Sequence, residues 1–182
     1  MAKQHSEPSA EALLKAALDY LAHYASSGEN LRRVLTRRAE KMGASPREAA
    51  PVIATIVERC AGAGLIDDAA YAASQAASLA RRGSSRQAIR FRLTQKGVAD
   101  AVIGAALVLL DEDGAGELAA ACALVRRRRL GPLRPLPARA LFRDRDLGVL
   151  ARAGFGLDLA RRVLTARDAA ELDEMAREKD IP

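Results

Sequence analysis

One helical phrase recurs along this 182-residue chain, and that recurrence constrains the fold more than any single motif. Leu35, Leu93 and Leu150 hold the same place in the second, fifth and eighth helical segments, 58 and 57 residues apart. The glycines that end those segments, Gly43, Gly97 and Gly154, are 54 and 57 apart, the first interval being short because the first copy has the longer second helix. A three-helix unit of about 55–58 residues, written three times, accounts for both series. Units of that size bury too little surface alone and stack on their neighbours. The expected fold is therefore all-α, with three tandem three-helix repeats forming an elongated, curved body. The expected boundaries are a flexible leader at 1–8, repeats at 9–66, 67–114 and 115–167, and a charged C-terminal tail at 168–182.

Start and stop signals support each segment. Ser9 caps a first helix carrying Leu13, Leu14, Ala17, Leu18 and Leu21, expected to end near Tyr24 to Ser26. Ser27-Gly28-Glu29-Asn30 opens the second. Ser45 and Glu48 have capping-box spacing for the third, although Pro51 lacks a backbone donor and offers an alternative start. Asp67 caps the fourth, which runs to about Arg82, and Ser84-Ser85-Arg86-Gln87 opens the fifth around Ile89 and Leu93. The sixth carries Ile103, Leu107 and Leu110 and should break at Asp111-Glu112-Asp113-Gly114. A seventh spans about 116–129; after the proline-rich stretch 131–137 come an eighth with Leu147 and Leu150 and a ninth with Val163 and Leu164. Leu172 and Met175 suggest only a frayed helix in the tail. No sustained two-residue alternation of β-branched residues occurs, which argues against a sheet.

The net charge of +6 is distributed in blocks. Residues 1–68 balance, whereas 69–99 hold six basic side chains (Arg81, Arg82, Arg86, Arg90, Arg92, Lys96) and no acid. Residues 100–113 carry four acids, 114–143 seven basic groups against one acid, and 144–182 seven against nine acids. Two basic blocks that fold together make a surface for a polyanion. The longest apolar run, Ala101 to Leu110, is too short to span a membrane, and the N-terminus has no apolar signal core, so a cytoplasmic protein is expected. Reactive groups are sparse. His5 and His23 have no ligand-like neighbours, and Cys60 and Cys122 fall among apolar residues. Asp67-Asp68 and Asp111 to Asp113 fit helix capping and dipole matching better than metal binding. The expectation is a non-enzyme with no catalytic residue, cofactor or metal.

The most distinctive stretch is residues 64–98, with Leu65, Asp67, Asp68, Tyr71 and Ala72, then Arg82 and Gly83, then Ile89, Leu93, Lys96, Gly97 and Val98. Leu18, Tyr20, Leu21, Leu31 and Leu35 precede it, and Leu150, Gly154, Phe155, Asp158, Val163 and Leu164 follow. In order and spacing these residues resemble the RecX family, regulators of the bacterial recombinase RecA, over about residues 13–165. Arg92 departs from the family's frequent acid before the helix-five leucine, and Ala153 from its frequent basic residue before the third-repeat glycine. The resemblance implies a helical protein that binds the RecA–DNA filament along its groove. It further implies a limit on filament extension, strand exchange and ATPase in recombination and DNA repair.

The residues themselves suggest how. On the fifth helix Arg86 and Arg90 lie on one side of the Ile89–Leu93 stripe, and Arg92 and Lys96 on the other. With Arg81 and Arg82 before it, and Arg126, Arg127, Arg128 and Arg129 in the next repeat, they form a candidate basic strip toward single-stranded or duplex DNA and the recombinase. Aromatic residues make up 3% of the chain, so phosphate contact is a better expectation than base stacking. Phe91 points away from the stripe, to a neighbouring repeat or to a partner. Binding as a monomer is expected. Two other readings use the same residues: an independent helical DNA binder with a helix-turn-helix-like pair, and a passive helical adaptor.

Overall fold

The computed structural model describes residues 9–178, so the expected leader and the last residues of the tail lie outside the described residues. The helices are α1 (Ala10–Leu21), α2 (Gly28–Lys41), α3 (Pro46–Gly62), α4 (Asp68–Arg81), α5 (Arg86–Gln95) and α6 (Asp100–Glu112). They continue with α7 (Glu117–Arg128), α8 (Leu136–Arg152), α9 (Leu157–Leu164) and α10 (Ala169–Arg177), plus a 3₁₀ turn at Gly131–Leu133. The described residues contain no strand, and the fold is all-α. No helix among them is long and apolar enough to cross a membrane.

Several boundaries differ from the sequence expectation, each for a local reason. α1 ends at Leu21 rather than near Tyr24, because Ser26 and Ser27 are buried and Ser27 turns extended to cap α2. α3 starts at Pro46, not Pro51: both halves of the capping box form, with Glu48 N–H donating to Ser45 Oγ at 3.3 Å and Ser45 N–H to Glu48 Oε2 at 3.1 Å. Pro51 sits on the exposed face, where solvent can replace its missing hydrogen bond. α6 runs through Asp111 and Glu112 instead of breaking there, since the Asp111 carboxylate receives Arg86. α8 begins inside the proline-rich stretch, where Pro135 and Pro137 suit a helix start. The tail helix α10 is packed, not frayed; it lies on α7 and buries Leu172 and Met175.

The chain divides into two compact units, one reaching to Tyr71 and including Lys96–Val98, the other comprising the remaining residues. In the first, α1, α2 and α3 close over Leu13, Ala17, Leu31, Leu35, Ile53, Ile56 and Cys60. Fully burying one such leucine stabilises the fold by roughly 1.5–3 kcal/mol. The core of the second unit includes Ile89, Leu93, Ile103, Leu107, Leu118, Val125 and Leu150.

Each unit contains the same joint. In the first, the fully buried Ser27 accepts the Asn30 N–H at 3.2 Å and donates to the Lys96 carbonyl, while Gly28 N–H donates to Asp68 Oδ1 at 2.9 Å. In the second, the fully buried Ser85 accepts the Ala88 N–H at 3.2 Å and donates to the Ala153 carbonyl at 2.6 Å, while Arg86 N–H donates to Glu117 Oε2 at 2.7 Å. A cap serine thus satisfies one helix start and one helix end at once. The joint requires glycine beside it. Gly154 has φ +89°, and a Cβ there would stand 2.6 Å from Ser85 Oγ. α8 starts at proline, so no third serine joint forms among the described residues.

A buried ion pair fixes the turn before α8. Asp146, 1% exposed, accepts two guanidinium N–H bonds from Arg134 at 2.7 and 2.8 Å and the Gly131 N–H at 2.9 Å. Burial pushes its carboxyl upward most strongly. The Arg134 and Gly131 hydrogen bonds and the nearby positive charges together outweigh that and hold it below the ordinary carboxylate range. Its stabilisation is complete above the ordinary carboxylate pKa, about 4, and is lost as pH falls through the lower folded value. Asp146→Asn should cost about 3 kcal/mol near neutral pH, because it leaves the Arg134 guanidinium without its partner. In urea unfolding followed at descending pH, the variant should lose less additional stability than the parent below about pH 4.

Candidate nucleic-acid interface

Of the ten basic residues singled out by sequence, nine lie in the second unit and Lys96 in the first, where Lys96 Nζ approaches Asn30 Oδ1 at 3.4 Å. Their surroundings divide the nine. Arg86 donates to both oxygens of Asp111, at 2.6 and 2.5 Å, and to the Leu107 carbonyl. Arg90 pairs with Asp100, and Arg126 with Asp173. Arg82 donates to Ser78 Oγ at 2.9 Å. Arg86, Arg90 and Arg126 thus each face a carboxylate, whereas Arg82 meets only a neutral hydroxyl.

Three others converge. A cleft of about 370 Å³ opens between α5, α7 and α8, lined by Arg92 from the first basic block and Arg127 and Arg128 from the second. Arg152, near the end of α8, joins them; the negative net charge of its sequence block conceals it. None of these four forms an ion pair with a described carboxylate, and no acidic residue among the described residues lines the cleft. Its remaining wall includes Ser84 in the turn before α5 and the apolar side chains of Ala88, Leu124, Val149 and Ala153. Guanidinium groups are planar multi-donors that match phosphate oxygens, and side-by-side positive charges favour an anion between them. Gly148 contributes by absence: a Cβ there would lie 3.2 Å from Arg152 Nη1.

Arg81 and Arg129 are exposed and do not line this cleft. Arg129 ends α7 in the left-handed region at φ 53°. That conformation costs a non-glycine residue roughly 1–2 kcal/mol. Arg129→Gly should accordingly raise stability by about 1 kcal/mol, read by thermal unfolding. Phe91 is a surface residue, 65% exposed.

A second basic rim has no signature in the sequence. Arg37, Arg38 and Lys41 surround a cavity of about 390 Å³ in the first unit, floored by Ala16, Val34 and Leu35. The balanced charge of residues 1–68 conceals it. Burial pushes the Cys122 thiol up to about 11 and the Cys60 thiol upward as well, so both behave as small apolar side chains.

Comparison with known proteins gives a consistent result. Residues 67–107 match the family model described as RecX, second three-helix domain. The regulatory protein RecX of Myxococcus xanthus (strain DK1622) is 36% identical over 162 residues, covering 86% of each chain. That of Halorhodospira halophila (strain DSM 244 / SL1) is 33% identical over 158 residues, covering 87% of this chain and 89% of the relative. Among solved structures, RecX from Lactobacillus salivarius superposes with a TM-score of 0.57 at 20% identity, over 91% of this chain and 97% of that one. A crystal structure of regulatory protein RecX gives 0.56 at 20% identity, over 84% and 70%. These two likenesses concern the fold.

Proposed function

The chain belongs to the RecX family, and on that premise we propose that it is a non-catalytic regulator of a RecA-type recombinase. It binds the recombinase–DNA filament and limits filament extension, strand exchange and the linked ATPase, acting in the cytoplasm as a monomer. The observation that carries this reading is the meeting of the two arginine blocks at one cleft of the second unit. A filament is a repeating polyanion clad in protein. A helical array with a basic face fits such a target better than it fits a short operator, since its charge-paired arginines hold fixed positions and its unpaired ones remain available for phosphate.

The recurring serine joints support an organisation of three three-helix repeats, α1–α3, α4–α6 and α7–α9, with α10 as an added packing element. Such an array presents several binding surfaces along one chain, which suits a polymeric partner.

The test is recombinase-driven strand exchange with the full chain added. The expected result is suppressed joint-molecule formation, with the effect weakening as salt rises because phosphate neutralisation releases counterions. Undiminished exchange at every concentration of the chain would overturn the reading. Duplex footprinting without recombinase separates the independent DNA binder, which alone should protect a defined site.

A further inference from the structure

We propose that the cleft formed by Arg92, Arg127, Arg128 and Arg152 is a discrete, saturable seat for clustered phosphate groups, occupied in competition by a nucleic-acid strand or by a free polyphosphate. The inference rests on the nucleic-acid-facing reading above and narrows it from a strip of basic residues to one site. Three observations carry it. Four guanidinium groups from three helices share one cavity of about 370 Å³, a size that admits a nucleotide rather than only a single ion. No carboxylate of the described residues lines that cavity, whereas Arg86, Arg90 and Arg126 nearby in sequence are each tied to an aspartate. The rest of the wall is mixed: the Ser84 hydroxyl offers a hydrogen bond, and the half-buried Ala88 and Val149 offer apolar surface to a sugar or base edge.

The same features explain why the phosphates should be clustered. One phosphate satisfies one or two guanidinium forks, and four forks in a shared cleft repel one another until several anionic oxygens enter. A triphosphate supplies them on one small molecule, and an extended strand supplies them on successive nucleotides. In each case the arginines bind through the same atoms, so the two ligands exclude each other.

The experiment uses the full chain, inorganic triphosphate by calorimetry, and a fluorescent single-stranded oligothymidylate by anisotropy. Triphosphate should bind at one per chain and displace the oligonucleotide. Arg92→Gln with Arg152→Gln should weaken both ligands by at least about tenfold. Arg37→Gln with Arg38→Gln, which removes equal charge from the first unit, should change either by less than about twofold. Ala88→Glu keeps all four arginines but places a carboxylate in the cleft, and it should weaken both ligands as the double variant does. Equal losses from the two arginine pairs would reduce the site to net charge and overturn the proposal. Oligonucleotide binding that triphosphate cannot displace would also overturn it. Failure here leaves strand-exchange suppression standing. Conversely, a chain that binds triphosphate at this cleft yet leaves strand exchange untouched would refute the regulator reading and keep the seat.

Discussion

Gly83→Ala is expected to destabilise the second unit by at least about 3 kcal/mol. Gly83 turns the chain from α4 into α5 at φ +79°. A Cβ there would lie 2.5 Å from the Leu124 backbone nitrogen and 2.7 Å from its Cα. The left-handed conformation alone costs roughly 1–2 kcal/mol with a side chain. The collision adds to this because its far side is α7 backbone, which has no rotamer with which to escape. Gly43→Ala separates the two contributions. Gly43 has φ +90°, but a methyl group there would meet nothing within 4 Å, so only the conformational cost should appear. Urea unfolding of the two variants should show a clearly larger loss for Gly83→Ala; equal losses would mean that the α5 turn does not seat against α7 as described.

The second large effect is functional. Replacing Arg92, Arg127, Arg128 and Arg152 together by glutamine should raise the concentration needed to suppress strand exchange by at least about a hundredfold, since each lost charge-assisted contact is worth roughly tenfold or more. Replacing Arg86, Arg90 and Arg126 removes three charges but should change it by less than about fivefold, because each already faces an aspartate. The ordering matters more than either size. A reversal would place the working surface on the paired arginines, with those aspartates acting as part of the interface. Thermal unfolding should find the four-residue variant folded, as all four side chains are exposed and unpaired with any described carboxylate.

What the sequence conveys and what it withholds follow from range. Capping is local, and Ser9, Ser27, Ser45 and Asp67 cap where their side chains and spacing predict, with Asp67 accepting the Ala70 N–H at 2.9 Å. Apolar stripes are equally plain: Leu31, Leu35, Ile53, Ile89, Leu93 and Leu150 are all buried. The second use of Ser27 and Ser85, as donors to carbonyls 69 and 68 residues away, has no local signature. The same holds for the candidate surface. Arginine density locates the two blocks, but which members are neutralised depends on partners such as Asp111 and Asp173, 25 and 47 residues distant from Arg86 and Arg126. Arg152 is masked by averaging over the acids of its own sequence block, none of which, among the described residues, lines the cleft. Pro51 misleads because proline's missing donor matters only where no water can replace it.

The measurement that bears most directly on the whole account is the recombinase's ATP hydrolysis on single-stranded DNA as this chain is titrated in. A chain that limits filament extension, as proposed, should halve the rate at far fewer than one molecule per recombinase subunit. Half-inhibition reached only when the chain has coated the DNA would contradict regulation of the filament and leave a simple competitor for the strand.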